Sequence, residues 1–459
     1  MSGKWLTSLF GVVSLMPCNV DRVDVAGGND SIRCFSTLDG VQFIYLLSGP
    51  LYLFCVSRSG ESIVQIRDQL RFCHLLIVMT LTNVFEKTLA QSPQFDLRSI
   101  FGPTDYMMLR KLVEDEDRSP RYLFASFCPF RIDSAHRDLI GAALVRSKKE
   151  MAADPAPSAE AKSNANGSGG GDGGDGDDDR SWRRKLLYGV LLVRGRVVSC
   201  AAPKKKALSL HHEDLILLGH FVRNSQSWKQ SEAFTPICLP HFEASGFVYC
   251  YVSYLRFQSI ADGQRHDDDD SRRSDVCFIA ITLNSASFKR CQSLRKRIEL
   301  QLLRQSPLGD SILNKHGGAG FGGELTTKAV MAEVFGDDDA NGGDMKRPQV
   351  FAFYFNDIRR HQFVAPRPIK LYDTEHGEKA LFRRLQQLQH HSHSTPRHPL
   401  YFQRTATDAA VCRLEEGHYE IYVILNPLCS KTDALDVLNK LTEWVLRNQK
   451  DLFMTQVHW

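Results

Sequence analysis

Apolar and polar positions along this chain repeat one pattern three times. In residues 41–57 two apolar runs, "VQFIYLLS" and "LYLFCVS", meet at Ser48-Gly49-Pro50. Short apolar runs joined by a Gly-Pro turn predict a β-hairpin. Beyond it, Ile63, Ile66, Leu70, Cys73, Ile77, Leu81 and Val84 fall at i, i+3, i+4 spacing and predict one long helix. Ser62 and Gln65 stand at the spacing of a capping box at its start.

The second copy pairs "GFVYCYVSYLRF" with "DVCFIAITL", and a helix follows from near Ser285 through Phe288, Cys291, Leu294, Ile298 and Leu302. The third pairs "DAAVCRLE" with "YEIYVIL" across Glu415-Glu416-Gly417, then a helix with Leu435, Leu438, Leu441 and Val445 on one face. Upstream, the second copy opens with a hairpin turning at Arg194-Gly195, a helix "HHEDLILLGHFVRN" and a strand "EAFTPICL". The third opens with "VFAFYFNDIRRHQFVA", a helix from His376 to Leu388 and "LYFQRT". Both therefore predict strand, strand, helix, strand, strand, strand, helix. The first copy begins at the helix, "WLTSLFGVVSLM", followed by "SIRCFSTL", and lacks the opening hairpin.

Polar segments separate the copies. Residues 154–181 hold no aromatic, β-branched or other large apolar side chain. Such a stretch cannot bury enough surface to offset its ordering entropy. Residues 306–349 contain "HGGAGFGGE" and "GDDDANGGD" around a short helical pattern at Glu324–Phe335. The expected division is residues 1–150, an acidic Gly-rich linker at 151–182, residues 183–305, a disordered insertion at 306–349, and residues 350–459.

Composition narrows the class without choosing a function. The chain has 459 residues, 43% hydrophobic and 24% charged, with net charge +4. That is ordinary for globular domains and lacks the basic excess of a nucleic-acid binder. Its twelve cysteines include no C-x-x-C pair and sit mainly in apolar runs, as buried reduced thiols of a cytosolic protein do. The N-terminal "MSGKWLTSLFGVVSLMPCNV" mimics a signal peptide. Only Lys4 supplies charge and no small-x-small site follows, so a short core-facing helix is expected. No run reaches the roughly 18–20 apolar residues of a membrane span.

Antiparallel five-stranded sheets carrying helices make a two-layer α/β domain of the α+β type, and this element order is that of the longin fold. Three such domains in tandem are expected, the first lacking its two opening strands. The residues then resemble the Mon-one vacuolar fusion family, within the wider Fuzzy/Mon/Hermansky–Pudlak longin group. The resemblance rests on "GPLYLFCVSRSGES", "FDLRSIFG", "EAFTPICLPHFEASGF", "VSYL", the tail "YEIYVILNPLCSKTDALDVLNKLTEWV" and "DLFMTQ", in that order.

The resemblance implies a subunit of a heterodimeric guanine-nucleotide exchange factor. Its partner is a Ccz-type chain of three longin domains, and its substrate is a late-endosomal Rab GTPase. It implies no cofactor, no metal and no catalytic residue. It also implies peripheral recruitment from the cytoplasm to late-endosomal and vacuolar membranes. Leu9, Phe10 and Val13 of the opening helix, with Arg58 and Ser59 after the first hairpin, are the expected partner surface. Lys204, Lys205 and Lys206 are the expected contact with anionic lipid. A longin tether or adaptor without exchange activity would carry the same elements.

The enzyme alternative centres on the corner "NPLCSK", Asn426 to Lys431. Strand-to-helix corners can expose a nucleophile, which would make Cys429 the reactive group of a hydrolase. His418 lies at the far end of the preceding strand, and Ser430 with Asp433 fits a helix cap. An architectural joint is therefore expected. His390, His391, His393 and His398 form a polar loop without the ligand spacing of a zinc module. "GGAGFGG" does not link a strand to a helix as a nucleotide loop must. Asp267–Asp270 lack the alternating ligands of a calcium loop.

Overall fold

The computed structural model describes residues 34–48, 51–58, 61–92, 99–116, 119–151, 185–205, 209–225, 228, 231–256, 273–304, 325–336, 349–394, 399–455 and 457–458. The first repeat contributes β1 (Cys34–Ser36), β2 (Gln42–Ser48) and β3 (Leu51–Ser57), an antiparallel sheet in that order. It continues with α1 (Ile63–Leu81), α2 (Val84–Gln91), α3 (Pro103–Glu116), α4 (Pro120–Leu123) and α5 (Ser134–Met151). The capping box forms as expected. Ser62 Oγ accepts from the Gln65 N–H at 3.3 Å, and Gln65 Oε1 accepts from the Ser62 N–H at 3.1 Å.

The expected single helix through Val84 is instead two. Thr82 leaves the helix at φ +63 and its hydroxyl accepts from the Val84 N–H. The Asn83 N–H donates to Ala244 O of the second repeat at 2.8 Å. A long-range contact thus outweighs the continuous apolar stripe.

The second repeat contains β4 (Leu186–Val193), β5 (Arg196–Ala202), α6 (His212–Asn224), β6 (Ala233–Leu239), β7 (Glu243–Arg256), β8 (Arg273–Thr282) and α7 (Phe288–Arg304). Arg194 and Gly195 both have positive φ, as a two-residue hairpin turn of the primed type demands. Its final helix begins at Phe288 rather than near Ser285. Asn284 Oδ1 accepts from the Ala286 N–H at 3.0 Å, a local turn that competes with helix.

Within the insertion 306–349 the short helix expected at Glu324–Phe335 forms as α8 (Thr327–Phe335), and it is packed rather than part of a disordered stretch. Thr326 caps it, Val330 is buried, and Glu333 accepts from the Trp444 indole N–H at 2.9 Å. The third repeat follows: β9 (Val350–Asp357), β10 (Gln362–Val364), α9 (Glu375–His393), β11 (Leu400–Arg404), β12 (Ala409–Glu415), β13 (Tyr419–Leu425), α10 (Lys431–Arg447), α11 (Gln449–Leu452) and β14 (Val457–His458).

Sheet order shows the repeat. The third sheet runs β10-β9-β13-β12-β11, and the second runs β5-β4-β8-β7-β6 with β14 added in parallel beside β5. In both, the last strand of the repeat sits centrally, beside the first strand of the opening hairpin. Helices cover both faces. α6 lies on one face of the second sheet, and α7 with α5 on the other. α9 lies on one face of the third sheet, and α10 with α8 on the other. The first repeat shares its core with the second, because α1 packs against both its own sheet and β6, while α3 meets α6.

Residues 124–132 stitch the repeats together. The Phe127 N–H donates to His361 O at 3.1 Å, and the Phe130 N–H to Val197 O at 2.8 Å. Arg137 of α5, 6% exposed, donates to the carbonyls of Phe130, Lys450, Asp451 and Phe453 at 2.7–2.9 Å. The eleven described cysteines are free thiols. No helix among the described residues is long and apolar enough to cross a membrane.

Candidate interaction surface

Among the described residues, the first sheet shows a partly exposed apolar face. Alternation along β2 and β3 sends Ile44, Leu51 and Leu53 inward, where they are buried against α1. The opposite side chains are also apolar. Phe35 stands across from Phe43, and Tyr45 across from Phe54. The Phe35 and Phe43 rings stack at 4.6 Å, and the Tyr45 and Phe54 rings lie 6.3 Å apart. Leu47 on this face is 51% exposed and Phe35 46%. Contiguous exposed aromatic and aliphatic groups rimmed by polar residues mark interaction surfaces.

β3 corresponds to β8 and β13, which are central strands paired on both sides. Among the described residues β3 pairs with β2. Arg58 is exposed directly beyond this strand. Ser59, Leu9, Phe10 and Val13 lie outside the described residues. In the other repeats α6 and α9, the counterparts of the segment carrying Leu9, Phe10 and Val13, cover the face equivalent to this one.

The other sequence candidates are dispersed. Lys204 and Lys205 are exposed beyond β5, while Lys206 is outside the described residues. His390, His391 and His393 occupy the last turn of α9 rather than a loop. His393 reaches Glu420 at 3.1 Å. His398, "GGAGFGG" and Asp267–Asp270 fall outside the described residues.

The "NPLCSK" corner is built as a joint. Ser430 Oγ accepts from the Asp433 N–H at 3.1 Å, and Asn426 Oδ1 accepts from the Leu428 N–H at 2.9 Å. Cys429 is 5% exposed and its thiol donates to Ser430 O. Burial raises the Cys429 pKa and Asp433 adds to the rise, the reverse of what activates a nucleophilic thiol. His418 instead contacts Arg359.

Sequence reasoning missed the aromatic face, although its signal lay in "VQFIYLLS". Phe43, Tyr45 and Leu47 alternate there with the core residues. An apolar residue at every position usually marks a strand covered on both sides, so the run gives no sign that one side stays open.

Comparison with known proteins agrees with the threefold order. Family profiles described as the first, second and third longin domains of FUZ, MON1 and HPS1 match residues 4–112, 184–300 and 349–449. The chain is 23% identical over 421 residues to a rice protein named "Vacuolar fusion protein MON1 homolog", covering 90% of this chain and 65% of the relative. An Arabidopsis thaliana protein of the same name is 24% identical, with 97% and 64% covered. "Protein SAND" of Takifugu rubripes is 22% identical, with 99% and 72% covered. The chain thus spans roughly two thirds of the length of these relatives.

Proposed function

Because this chain belongs to the longin family of FUZ, MON1 and HPS1, we propose that it acts in membrane trafficking toward vacuolar or lysosomal fusion. In that role it is one subunit of a heterodimeric guanine-nucleotide exchange factor for a late-endosomal Rab GTPase. The trafficking role is supported by the relatives' names. The observation that supports the subunit reading is the aromatic face of the first sheet, on which Phe35 is 46% and Leu47 51% exposed. Among the described residues it is the smallest of the three sheets, with three strands against five and six.

A Ccz-type chain of three longin domains is the partner that completes it. Leu9, Phe10, Val13, Arg58 and Ser59 contribute to that platform. The mechanism requires no acid, base or nucleophile. An exchange factor binds the nucleotide-free GTPase better than the nucleotide-bound form, and that differential affinity shifts the equilibrium. Lys204, Lys205 and Lys206 hold the complex near anionic lipid, each worth about 1 kcal/mol close to the surface.

The deciding experiment is release of a fluorescent nucleotide from the Rab, with this chain alone, its partner alone and both together. Acceleration is expected only with both. Partner binding without acceleration would leave a tether or adaptor as the function.

A further inference from the structure

The three repeats meet at the N-terminal end of α6. Arg71 reaches it from α1, His241 from the turn between β6 and β7, and His361 from the turn between β9 and β10. Glu213 in the first turn of α6 is 5% exposed. Its Oε1 accepts from Arg71 Nη1 at 2.6 Å and its Oε2 lies 3.0 Å from His241 Nε2. Asp214, 1% exposed, takes the other ring nitrogen, His241 Nδ1, at 2.9 Å. The rings of His241, His211, His212 and His361 form a continuous stack with centroids 3.8, 4.1 and 3.6 Å apart.

His211 is the N-cap of α6, a position that ordinarily takes Ser, Thr, Asp or Asn. Its Nδ1 accepts from the Glu213 N–H at 3.3 Å, which places the ring proton on Nε2 and leaves a lone pair at Nδ1. One ligand atom each from His211, Glu213 and His241 lies within 4.8 Å of the others. Bonds of about 2.0–2.2 Å to a tetrahedral ion set ligand atoms roughly 3.3–3.6 Å apart. The Glu213–His241 pair is already near that spacing, and partly exposed His241 leaves an approach from solvent.

We propose that His211, Glu213 and His241 form a divalent-metal site of the zinc class where the three longin domains meet, with Asp214 orienting His241. Two imidazoles and one carboxylate suit zinc among the common ions and leave a fourth position for water. A carboxylate on the second ring nitrogen is the partner that metal-bound histidines require, because it fixes the tautomer. On binding, the ion replaces the proton between His241 Nε2 and Glu213, and that proton leaves to solvent. His211 gives up its long cap bond for a bond to the ion.

Glu213 already bridges Arg71 and His241, and Asp214 holds the other nitrogen of His241, so the carboxylates are fixed in place by three elements before any ion arrives. An occupied site would tie the start of α6 to the β6–β7 turn. Arg71 and the His212–His361 stack carry that bracing to the other two repeats.

The test is calorimetric titration of zinc into the full chain, with His211→Asn, His241→Gln and the combined His390→Ala, His391→Ala, His393→Ala variant. Asn preserves the cap, and Gln can still donate to Asp214, so both junction variants should fold. We expect one zinc per chain, binding at least tenfold weaker in either junction variant and unchanged in the triple variant. Zinc should raise the melting temperature of the unmutated chain and not that of the junction variants. Zinc affinity unaffected at the junction, or lost only in the triple variant, would overturn the site. Cobalt(II) added to the unmutated chain is an independent check. A visible spectrum of a four-coordinate ion, erased by equimolar zinc, is expected, and its absence is equally fatal.

Discussion

The first and third sheets are copies of one design that end in opposite circumstances. β13 is buried along almost its whole length, because α9 covers one face and α10 the other. β2 has the same apolar character, yet only its inward residues are packed and its outer side chains stay partly in water. An antiparallel sheet tolerates one solvated face, but ordinarily that face is polar. Where helices cover both faces, as in the third sheet, the apolar residues are core. Among the described residues of the first sheet, the same residue types stay partly exposed on one face.

The sharpest way to break this comparison is to substitute one apolar residue in each sheet. Phe353 is fully buried in the third sheet, and Phe353→Ala should cost about 3–5 kcal/mol in denaturant unfolding. Next comes Leu47→Glu on the open face. We expect at least tenfold weaker binding of the Ccz-type chain, about 1.4 kcal/mol, with stability changed by no more than about 0.5 kcal/mol. A fall in stability with binding intact would show instead that this chain's own apolar segment closes the face. The helix joints should be alike although the sheets are not. Ser62→Ala and Ser430→Ala are each expected to cost about 1 kcal/mol, and a clear inequality between them would separate the joints.

The smallest effect concerns His74 of α1, close to Ser48 and Glu86. Burial lowers its pKa, with Glu86 opposing. The unfolded chain therefore takes up this proton before the folded one. The associated stability is intact above the unfolded value of about 6.5 and declines as pH falls below it. Melting curves between neutral pH and pH 5 should decline less steeply for His74→Gln than for the unmutated chain.

Much of the architecture was legible because it is locally encoded. The hairpin turn at Arg194-Gly195, the Ser62–Gln65 box and the stripe Leu438, Leu441, Val445 each follow from neighbouring residues. What sequence reasoning missed depends on distant partners. α1 stops at Thr82 because Asn83 bonds to Ala244. The helical pattern at Glu324–Phe335 did mark α8, but not that Val330 and Glu333 pack it against the third repeat. The histidine junction draws residues from separate repeats, so no spacing along the chain announces it. Arg58 and the two described lysines emerged where the sequence placed them, on exposed connections.

The parallel strand β14 has a consequence for biosynthesis. It comes from the third repeat but lengthens the sheet of the second, beside β5, while Arg137 of the first block grips the carbonyls just upstream of it. A chain emerging from the ribosome can fold its repeats in order, as domains generally do. The middle sheet nevertheless waits for its outermost strand, and Arg137 for its acceptors, until the third repeat has been made. Until then β5 is bridged at Val197 by the preceding block but lacks its partner at Ala201 and Ala202, and the nascent chain has its greatest need of a chaperone after the middle repeat has emerged.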